Sequence, residues 1–407
     1  MIQRTIEDNI IKRIDGKKSI ILLGPRQCGK TTLLKSTCAK LTKPYIWFNG
    51  DNPGDARLIE NSSLERLKSI IGKNEVIVID EAQDIPNIGK TIKLIVDYIE
   101  DVCPIISGSS SFELSSELNE PLTGRKYEFN LYPLSFKEMV NYHDLRTELQ
   151  QVEQRLIFGS YPEVLTNPGK EKELLHLLAS SYLYKDIFKF GNIRKPSDLE
   201  KIVQLLAWQI GNEVNISEVA KSAGTTSETV ERYINILEKA YIVFRLPSFS
   251  RNVRNEIKKN KKIYFYDNGI RNAVIGHFSF ISNRNDVGAL WENYLVSERK
   301  KLNSYQGFYG SNYFWRTQQQ QEIDYIEEID GKISAFEFKW NPNKKSGFPV
   351  TFTKTYHPQK TEVIHRELRI FLIGIRYTAS IKIRLKRVRY IVSKIICTAG
   401  RPIMPGR

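Results

Sequence analysis

The sequence predicts an α/β protein that begins with a parallel sheet. Over the first 140 residues, five short apolar runs alternate with segments of helical pattern. A glycine-rich loop follows the first of these runs, and two acidic residues follow the third. Strands that alternate with helices usually pair in parallel, with helices covering both faces of the sheet. We therefore expect a parallel sheet with its functional loops at the ends of its strands.

The five predicted strands are short and rich in β-branched and aromatic residues. They are SIILL (19–23), YIWF (45–48), VIVID (76–80), PIIS (104–107) and YEFNL (127–131). Residues 141–195 have helical patterns interrupted by a predicted loop at 159–162, and residues 198–246 predict two or three further helices. An extended, aromatic-rich region follows from residue 261 to residue 340.

Composition favours a soluble globular protein. The 407 residues suffice for two or three domains, and 41% hydrophobic with 26% charged residues is ordinary for that class. No apolar run approaches the roughly 20 residues that span a bilayer, so no membrane partner is expected. The four cysteines form no C-x-x-C pair, and no cleavable signal pattern is present. These features predict a cytoplasmic location.

Much of the net charge of +15 lies in the last 40 residues. No acidic residue follows Glu367, whereas ten lysines and arginines do. This tail is a basic arm for nucleic acid or membrane, or else a frameshifted or rearranged C-terminus. We assign no function to it.

The glycine-rich loop fits the phosphate-binding pattern G-x-x-x-x-G-K-[ST] at every fixed position. It lies between a predicted strand and a predicted helix, where backbone N–H groups can surround a phosphate at the positive end of the helix. Lys30 can reach the β- and γ-phosphates, and the Thr31 hydroxyl can bind Mg²⁺. The expected nucleotide contacts are Gly24, Pro25, Arg26, Gln27, Cys28, Gly29, Lys30, Thr31 and Thr32.

The strand VIVID supplies the second half of a hydrolysis site. Asp80 ends the strand, where its carboxylate can hold Mg²⁺ and its hydration shell. Glu81 follows directly and can polarise the attacking water. The expected cofactors are therefore ATP and Mg²⁺.

Two further residues are candidates for the same site. Ser109 either senses the γ-phosphate or caps the following helix. Arg125 is placed to reach the γ-phosphate of a neighbouring subunit, which would make the protein a homo-oligomer. The alternative for Arg125 is a surface ion pair with Glu128.

Residues 215–246 have the pattern of a helix-turn-helix followed by a strand. Gly224 makes the turn, and Ser227 is expected to cap the second helix. The inner face of that helix is expected to be apolar: Val230, Tyr233, Ile234 and Leu237. Such a winged helix binds a DNA major groove or packs between domains. Glu228 and Glu231 on the outer face would repel phosphates, which favours packing.

A third motif lies at residues 321–340, QEIDYIEEIDGKISAFEFKW. A hairpin through Asp330 and Gly331 would bring Asp324 beside Glu337 and Lys339, which share one face of a strand. Two carboxylates can hold Mg²⁺, and a lysine can orient or deprotonate water. Glu292, on a predicted helix, could complete the acidic cluster. The alternative is an ion pair on an edge strand with one wet face.

Taken with their spacing, these motifs resemble a prokaryotic AAA-type ATPase family whose C-terminal domain is called DUF4143. The ATPase motifs are GPRQCGKTTLL, VIVIDEAQ, ISGSSSF, LTGR and YPLSFKE, and the C-terminal ones include KIYFYDNGIRN, LWENYLVSE and EIDYIEEIDGKISAFEFKW. The resemblance implies a five-stranded P-loop core and a restriction-endonuclease-like fold near the C-terminus. The tail does not resemble the family's ending.

The predicted organisation has five parts. They are an ATPase domain (1–140), a helical linker or lid (141–195), a winged helix (196–255), a restriction-endonuclease-like domain (256–365) and the basic tail (366–407). Two functions fit this organisation. One is an ATP-driven switch or regulator whose C-terminal parts bind partners, nucleic acid among them. The other is an ATP-controlled, metal-dependent nuclease that cleaves DNA or RNA.

Overall fold

The computed structural model describes residues 2–14, 18–108, 121–180, 187, 193, 195–250, 261–343 and 347–366. All of these residues belong to one compact unit, which spans Met1–Leu372. Among them, no helix combines the length and the apolar character needed to cross a bilayer.

The first part of the chain is a five-stranded sheet in the order β2-β3-β4-β1-β5. Its strands are β1 (Ser19–Leu23), β2 (Tyr45–Asn49), β3 (Val76–Asp80), β4 (Cys103–Gly108) and β5 (Lys126–Asn130). Every neighbouring pair is parallel, which confirms the predicted parallel sheet. The near-continuous apolar runs of β1, β3 and β4 are buried along their whole length. Strand β4 separates the strand that enters the phosphate loop from the strand that ends in Asp80.

Helices connect these strands. They are α2 (Lys30–Ala39), α3 (Pro53–Ile59), α4 (Leu64–Ile71) and α5 (Ile88–Tyr98), and helix α1 (Glu7–Ile11) precedes the first strand. A loop of left-handed backbone joins β1 to α2, with φ of 57° at Gln27 and 96° at Gly29. A Cβ at Gly24 would lie 2.1 Å from the carbonyl oxygen of Leu131, so only glycine fits where this loop begins.

A helical region follows the sheet. Its members are α6 (Phe136–Tyr142), α7 (Leu145–Gln150), α8 (Val152–Phe158), α9 (Pro162–Thr166), α10 (Glu171–Leu178) and α11 (Pro196–Trp208). Helix α6 begins with a capping box between Ser135 and Glu138 and continues past the predicted domain boundary at residue 140. Pro162 begins α9 and is not a loop residue as predicted, because the fixed φ of proline suits the first helical position.

The predicted helix-turn-helix is formed by α12 (Ile216–Ala223) and α13 (Ser227–Lys239). Gly224 makes the turn with φ of 73°. The cap of α13 is Thr226 and not Ser227, because the Thr226 hydroxyl accepts a hydrogen bond from the Thr229 N–H at 3.2 Å. All four apolar residues predicted for the inner face of α13 are buried.

An antiparallel sheet accompanies this helix pair, in the order β6-β8-β7. Its strands are β6 (Glu213–Val214), β7 (Val243–Leu246) and β8 (Lys261–Phe265), and helix α14 (Asn268–Val274) follows. One hydrophobic core contains buried side chains from Tyr161 to Val274. Buried residues on both sides of the boundaries that we predicted at 195/196 and 255/256 therefore belong to a single core.

The last part is a four-stranded sheet in the order β12-β11-β10-β9, preceded by a long helix. Its elements are α15 (Val287–Gln306), β9 (Ser311–Arg316), β10 (Glu322–Ile329), β11 (Lys332–Lys339), α16 (Val350–Tyr356) and β12 (Lys360–His365). Strands β10 and β11 form the predicted hairpin, with Asp330 and Gly331 in left-handed conformation at its turn. Strand β11 is central in its sheet, so the edge-strand alternative is wrong.

Candidate functional site

The phosphate loop holds its lysine inward. Lys30 is buried, and its Nζ donates to the carbonyl oxygens of Gly24 at 3.0 Å and Pro25 at 2.9 Å. Thr31 and Thr32 follow in the first turn of α2, while Arg26 is half-buried and Gln27 is exposed. The Cys28 side chain is buried, and burial raises the pKa of its thiol. The loop therefore presents its backbone and one ammonium group at the start of α2, which suits an anion.

Asp80 and Glu81 lie at the carboxyl end of β3, as the sequence predicts. The buried Asp80 carboxylate accepts a hydrogen bond from the Ser107 hydroxyl of β4, and the Glu81 N–H donates to the same hydroxyl at 3.3 Å. The Glu81 carboxylate accepts from Gln83 Nε2 at 2.7 Å. Ser107 was missed by the sequence analysis, although it ends the run PIIS that we predicted as a strand.

Ser109 and Arg125 are the two remaining candidate residues of the ATPase site. Ser109 lies outside the described residues. The Arg125 guanidinium contacts Asp97 at 2.6 Å, and its side chain is 43% exposed. Glu128, the partner that we had considered for Arg125, pairs with Lys126 at 2.9 Å.

A cavity of about 310 Å³ lies beside the phosphate loop and the start of α2. The N-terminal segment Ile2–Arg4 lines one side, and Leu33, Leu134 and Pro162 supply apolar surface. Arg4 is buried and pairs with Glu138 at 3.1 Å. Burial opposes the charge of this arginine, but Glu138 raises its pKa above the usual value. No local sequence pattern singles out Arg4, because its partner is 134 residues away.

The nuclease-like motif comes together as predicted for three of its residues. Lys339 Nζ lies 2.8 Å from Glu337 Oε2 and 3.4 Å from Asp324 Oδ2. Asp324 also accepts a hydrogen bond from the Phe338 N–H at 2.7 Å. Burial lowers the pKa of Lys339, but the charges of Asp324 and Glu337 raise it by more than burial lowers it. The net shift of the pKa is therefore upward. Glu337 is 5% exposed, so neither face of this part of β11 is wet.

Glu292 has different partners. Its Oε1 accepts hydrogen bonds from Lys262 Nζ at 2.9 Å and from the Tyr264 hydroxyl at 2.6 Å. Lys262 is fully buried and also contacts Glu322 at 2.5 Å. Burial raises the pKa of Glu292 to about 7, and the nearby charge of Asp324 acts in the same direction. Sequence reasoning missed Lys262 and Tyr264, although their spacing of two places them on one face of β8.

These contacts bear on the expected metal sites. For a nucleotide site, Thr31 and Asp80 offer a hydroxyl and a carboxylate, oxygen donors of the kind that Mg²⁺ prefers. Glu292 was expected to join the nuclease-like metal site, but its Oε1 accepts hydrogen bonds from Lys262 and Tyr264. In the part of the chain that the structure describes, no three histidine, cysteine, aspartate or glutamate side chains are grouped closely enough to hold a metal ion. A site built from Glu292, Asp324 and Glu337 together does not fit this geometry.

Comparison with known families divides the chain into three matched regions. Residues 16–140 match an AAA domain, residues 149–280 match a domain of unknown function (DUF8612), and residues 287–383 match a domain of unknown function (DUF4143). The first match contains the phosphate loop and Asp80. The last continues to residue 383, past residue 366 where we expected the tail to begin.

Relatives of this chain occur in bacteria and archaea. An uncharacterized protein of Mycobacterium tuberculosis is 27% identical over 327 residues, which cover 79% of this chain and 70% of that protein. An uncharacterized protein of Methanocaldococcus jannaschii is 26% identical over 348 residues, which cover 80% of this chain and 75% of that protein.

Among solved structures, the Walker-type ATPase PABY2304 of Pyrococcus abyssi aligns with a TM-score of 0.46 at 13% identity. The alignment covers 68% of this chain and 96% of that one. The described fold of residues 18–108 and 121–140, the phosphate loop and the matches to both domains agree with one another. The chain therefore combines a region that matches an AAA domain, with its phosphate loop, and a C-terminal region that matches DUF4143.

Proposed function

We propose that the protein is an ATP-hydrolysing switch whose nucleotide state controls its C-terminal domain. The observation that carries this proposal is the placement of two buried charges, Lys30 and Asp80, beside the carboxyl edge of one parallel sheet. Burying an ammonium and a carboxylate is costly unless each has a purpose. A nucleoside triphosphate with its metal ion supplies partners for both.

Each residue of the proposed site has a separate role in ATP binding or hydrolysis. Lys30 leaves its two backbone carbonyl partners to bind the β- and γ-phosphates, and the N–H groups of the loop surround them. Thr31 and Asp80 would hold Mg²⁺, which supplies charge neutralisation between the phosphates when it is bound. Glu81 polarises the attacking water, with Gln83 holding one oxygen of its carboxylate. The cavity next to the loop has apolar surface on which a nucleobase can lie.

The proposal is tested by ATP binding and hydrolysis with the full chain. Glu81→Gln keeps the size of the side chain but removes its negative charge, so it should bind ATP as the wild type does. Its turnover should fall by roughly a hundredfold, the usual contribution of a general base. Titration calorimetry and phosphate release measure the two quantities. Wild-type turnover in Glu81→Gln would assign the base to another residue, and absence of ATP binding by the wild type would reject the switch.

For the helix pair α12–α13 and the sheet β6-β8-β7, we propose a winged helix that packs between domains. Two acidic residues of α13, Glu231 and Glu238, pair with Arg245 of β7, which ties the helix to its own sheet. The apolar face of α13 belongs to the core shared with residues 161–274. DNA binding is the alternative, and a nucleic-acid titration at low salt distinguishes the two.

A metal-dependent nuclease is the second candidate function, and the contact of Asp324, Glu337 and Lys339 favours it. Asp324 and Glu337 would hold the metal as a pair, without Glu292. The test is incubation of a plasmid with the protein and Mg²⁺ or Mn²⁺, with and without ATP. We expect no cleavage in either nucleotide state. Cleavage that disappears in Glu337→Ala while ATP turnover persists would establish the nuclease instead.

A further inference from the structure

The N-terminal segment places one buried arginine against the outside of the phosphate loop. Arg4 Nη1 donates to the carbonyl oxygen of Cys28 at 2.7 Å, and Nη2 donates to that of Tyr132 at 2.6 Å. Its Nε donates to Glu138 at 3.1 Å. Arg4 is 7% exposed. A single guanidinium thus joins the phosphate loop to the segment that follows β5 and to helix α6.

The contact with Cys28 controls a particular peptide plane. Cys28 lies between Gln27 and Gly29, the two left-handed residues of the loop. In a trans peptide the carbonyl of one residue and the N–H of the next point in opposite directions. Because Arg4 holds the Cys28 carbonyl on the outside of the loop, the Gly29 N–H is directed away from Arg4. That N–H precedes Lys30 and belongs to the set that would contact a phosphate.

Helix α15 holds the other side of the same segment. Three of its side chains, spaced along one face, contact alternate backbone groups of residues 132–136. The Tyr305 hydroxyl accepts from the Tyr132 N–H at 3.1 Å, Lys301 Nζ donates to the Leu134 oxygen at 3.2 Å, and Glu298 accepts from the Phe136 N–H at 2.7 Å. The Tyr305 hydroxyl also lies 3.5 Å from Arg4 Nη2. The backbone of Tyr132 is therefore held by Arg4 through its oxygen and by α15 through its nitrogen.

The opposite end of α15 carries Glu292, which contacts Lys262 and Tyr264 of β8. Glu292 lies 13 residues before Tyr305, or about 20 Å along the helix at 1.5 Å per residue. Arg299 and Asn303, on the intervening turns, both contact Glu327 of β10. Helix α15 is thus fixed to the phosphate-loop side at one end and to the C-terminal sheet along its length.

We propose that Arg4 is a positioning residue for the phosphate loop and that, through Tyr132 and Tyr305, it links nucleotide binding to the packing of α15. This inference rests on the proposed ATP switch and names the path by which the switch reaches the DUF4143 domain. Since coupling between two sites is reciprocal, ATP tightens the docking of α15, and loss of that docking weakens ATP binding by the same factor.

The experiment compares ATP affinity with hydrogen exchange in α15, using the full chain and a slowly hydrolysed ATP analogue. In the wild type, the analogue should slow exchange of the amides at 298–306. Arg4→Lys keeps the charge but cannot make three divergent contacts, so analogue affinity should fall about tenfold, within the usual range of coupling factors. Tyr305→Phe removes only the hydroxyl and keeps the ring, and it should abolish the exchange response with a smaller loss of affinity.

Asn9→Ala is the matched control, because Asn9 Nδ2 contacts the Tyr305 carbonyl at 3.3 Å without reaching the phosphate loop. It should keep both the affinity and the exchange response. A purely structural role of Arg4 would lower the melting temperature and leave the affinity of the folded protein unchanged. The double variant of Arg4 and Tyr305 should lose less affinity than the two single losses combined.

Three results would overturn the inference. They are wild-type affinity in folded Arg4→Lys, an unchanged exchange response in Tyr305→Phe, and strict additivity of the two substitutions. If the wild type binds the analogue and Arg4→Lys and Tyr305→Phe behave like the wild type, the proposed switch is retained. The proposed link from Arg4 to α15 is then rejected. If the wild type binds no ATP, the proposed function falls and the link falls with it.

Discussion

Lys30 shows how the phosphate loop accommodates a buried charge. Its ammonium donates to two carbonyl oxygens of the loop, those of Gly24 and Pro25. These contacts keep the buried ammonium group hydrogen-bonded. The motif predicts that a lysine stands at this position and which phosphates it reaches. It does not predict the carbonyl partners, since these depend on the left-handed backbone at Gln27 and Gly29.

Lys30→Ala should weaken ATP binding by about 2–3 kcal/mol, the usual contribution of hydrogen bonds to a charged group, or roughly 30- to 160-fold. Lys35→Ala is the matched control, because Lys35 is an exposed lysine on the same helix. Titration calorimetry with ATP measures both. Equal affinity of the two variants would mean that the loop does not bind the phosphates.

Helix α15 carries contacts that sequence periodicity alone could not reveal. Its apolar pattern indicates a helix, and its N-terminal half contains the predicted Glu292. The partners of this helix are distant in the sequence: Glu298 contacts the N–H of Phe136, and Glu292 contacts Lys262. Such pairings depend on how the domains dock and not on the local pattern. The strands of the first sheet were predictable for the opposite reason, since each is a short local run that contains β-branched or aromatic residues.

The start of α15 is fixed by an ion-pair cluster at Asp286. Its carboxylate contacts Arg284 at 2.8 Å and Arg271 at 2.7 Å. Burial raises the pKa of Asp286, but the hydrogen bonds from these two arginines outweigh it and lower the pKa to about 2. An aspartate whose pKa is lower in the folded than in the unfolded state stabilises the fold at pH values above its unfolded pKa, near 4. This contribution is lost as the pH falls towards 2.

Asp286→Asn should therefore lower the free energy of unfolding by about 2 kcal/mol at pH 7, as the linkage relation gives for a shift of this size. The difference from the wild type should shrink to about half at pH 3. Urea denaturation at the two pH values checks this result. A difference that is the same at both would show that the charge of Asp286 is not the cause.

At the scale of the whole molecule, Arg125 faces outwards from the ATPase domain. Its partner Asp97 belongs to the same chain, and the pair is partly exposed. Exposed ion pairs contribute only about 0–1 kcal/mol, so a neighbouring subunit's phosphate could replace Asp97 at little cost. The motif LTGR predicts that Arg125 reaches the γ-phosphate of a neighbouring subunit, and this stays a prediction. The sequence could not supply the partner, because Asp97 lies on α5 and reaches Arg125 only through the folded sheet.

Arg125→Ala should keep ATP binding and lose turnover, because an arginine finger acts mainly on the charge of the transition state. Turnover per wild-type chain should also rise with protein concentration as subunits assemble. Mixing Arg125→Ala with Lys30→Ala should restore part of the activity, since each variant supplies what the other lacks. Mixed oligomers that form and remain inactive would contradict a finger acting between subunits.

The docking of α15 onto residues 132–136 has a consequence for synthesis of the chain. The backbone groups of Tyr132, Leu134 and Phe136 find their partners in residues 298–305, more than 160 positions later. At 5–20 residues per second, a ribosome needs roughly 10–30 s to add that length. During that interval the ATPase sheet can form, but residues 132–136 beside its phosphate loop do not yet have the contacts with α15. Folding of the region that matches the AAA domain is therefore completed only after most of the chain has been synthesised.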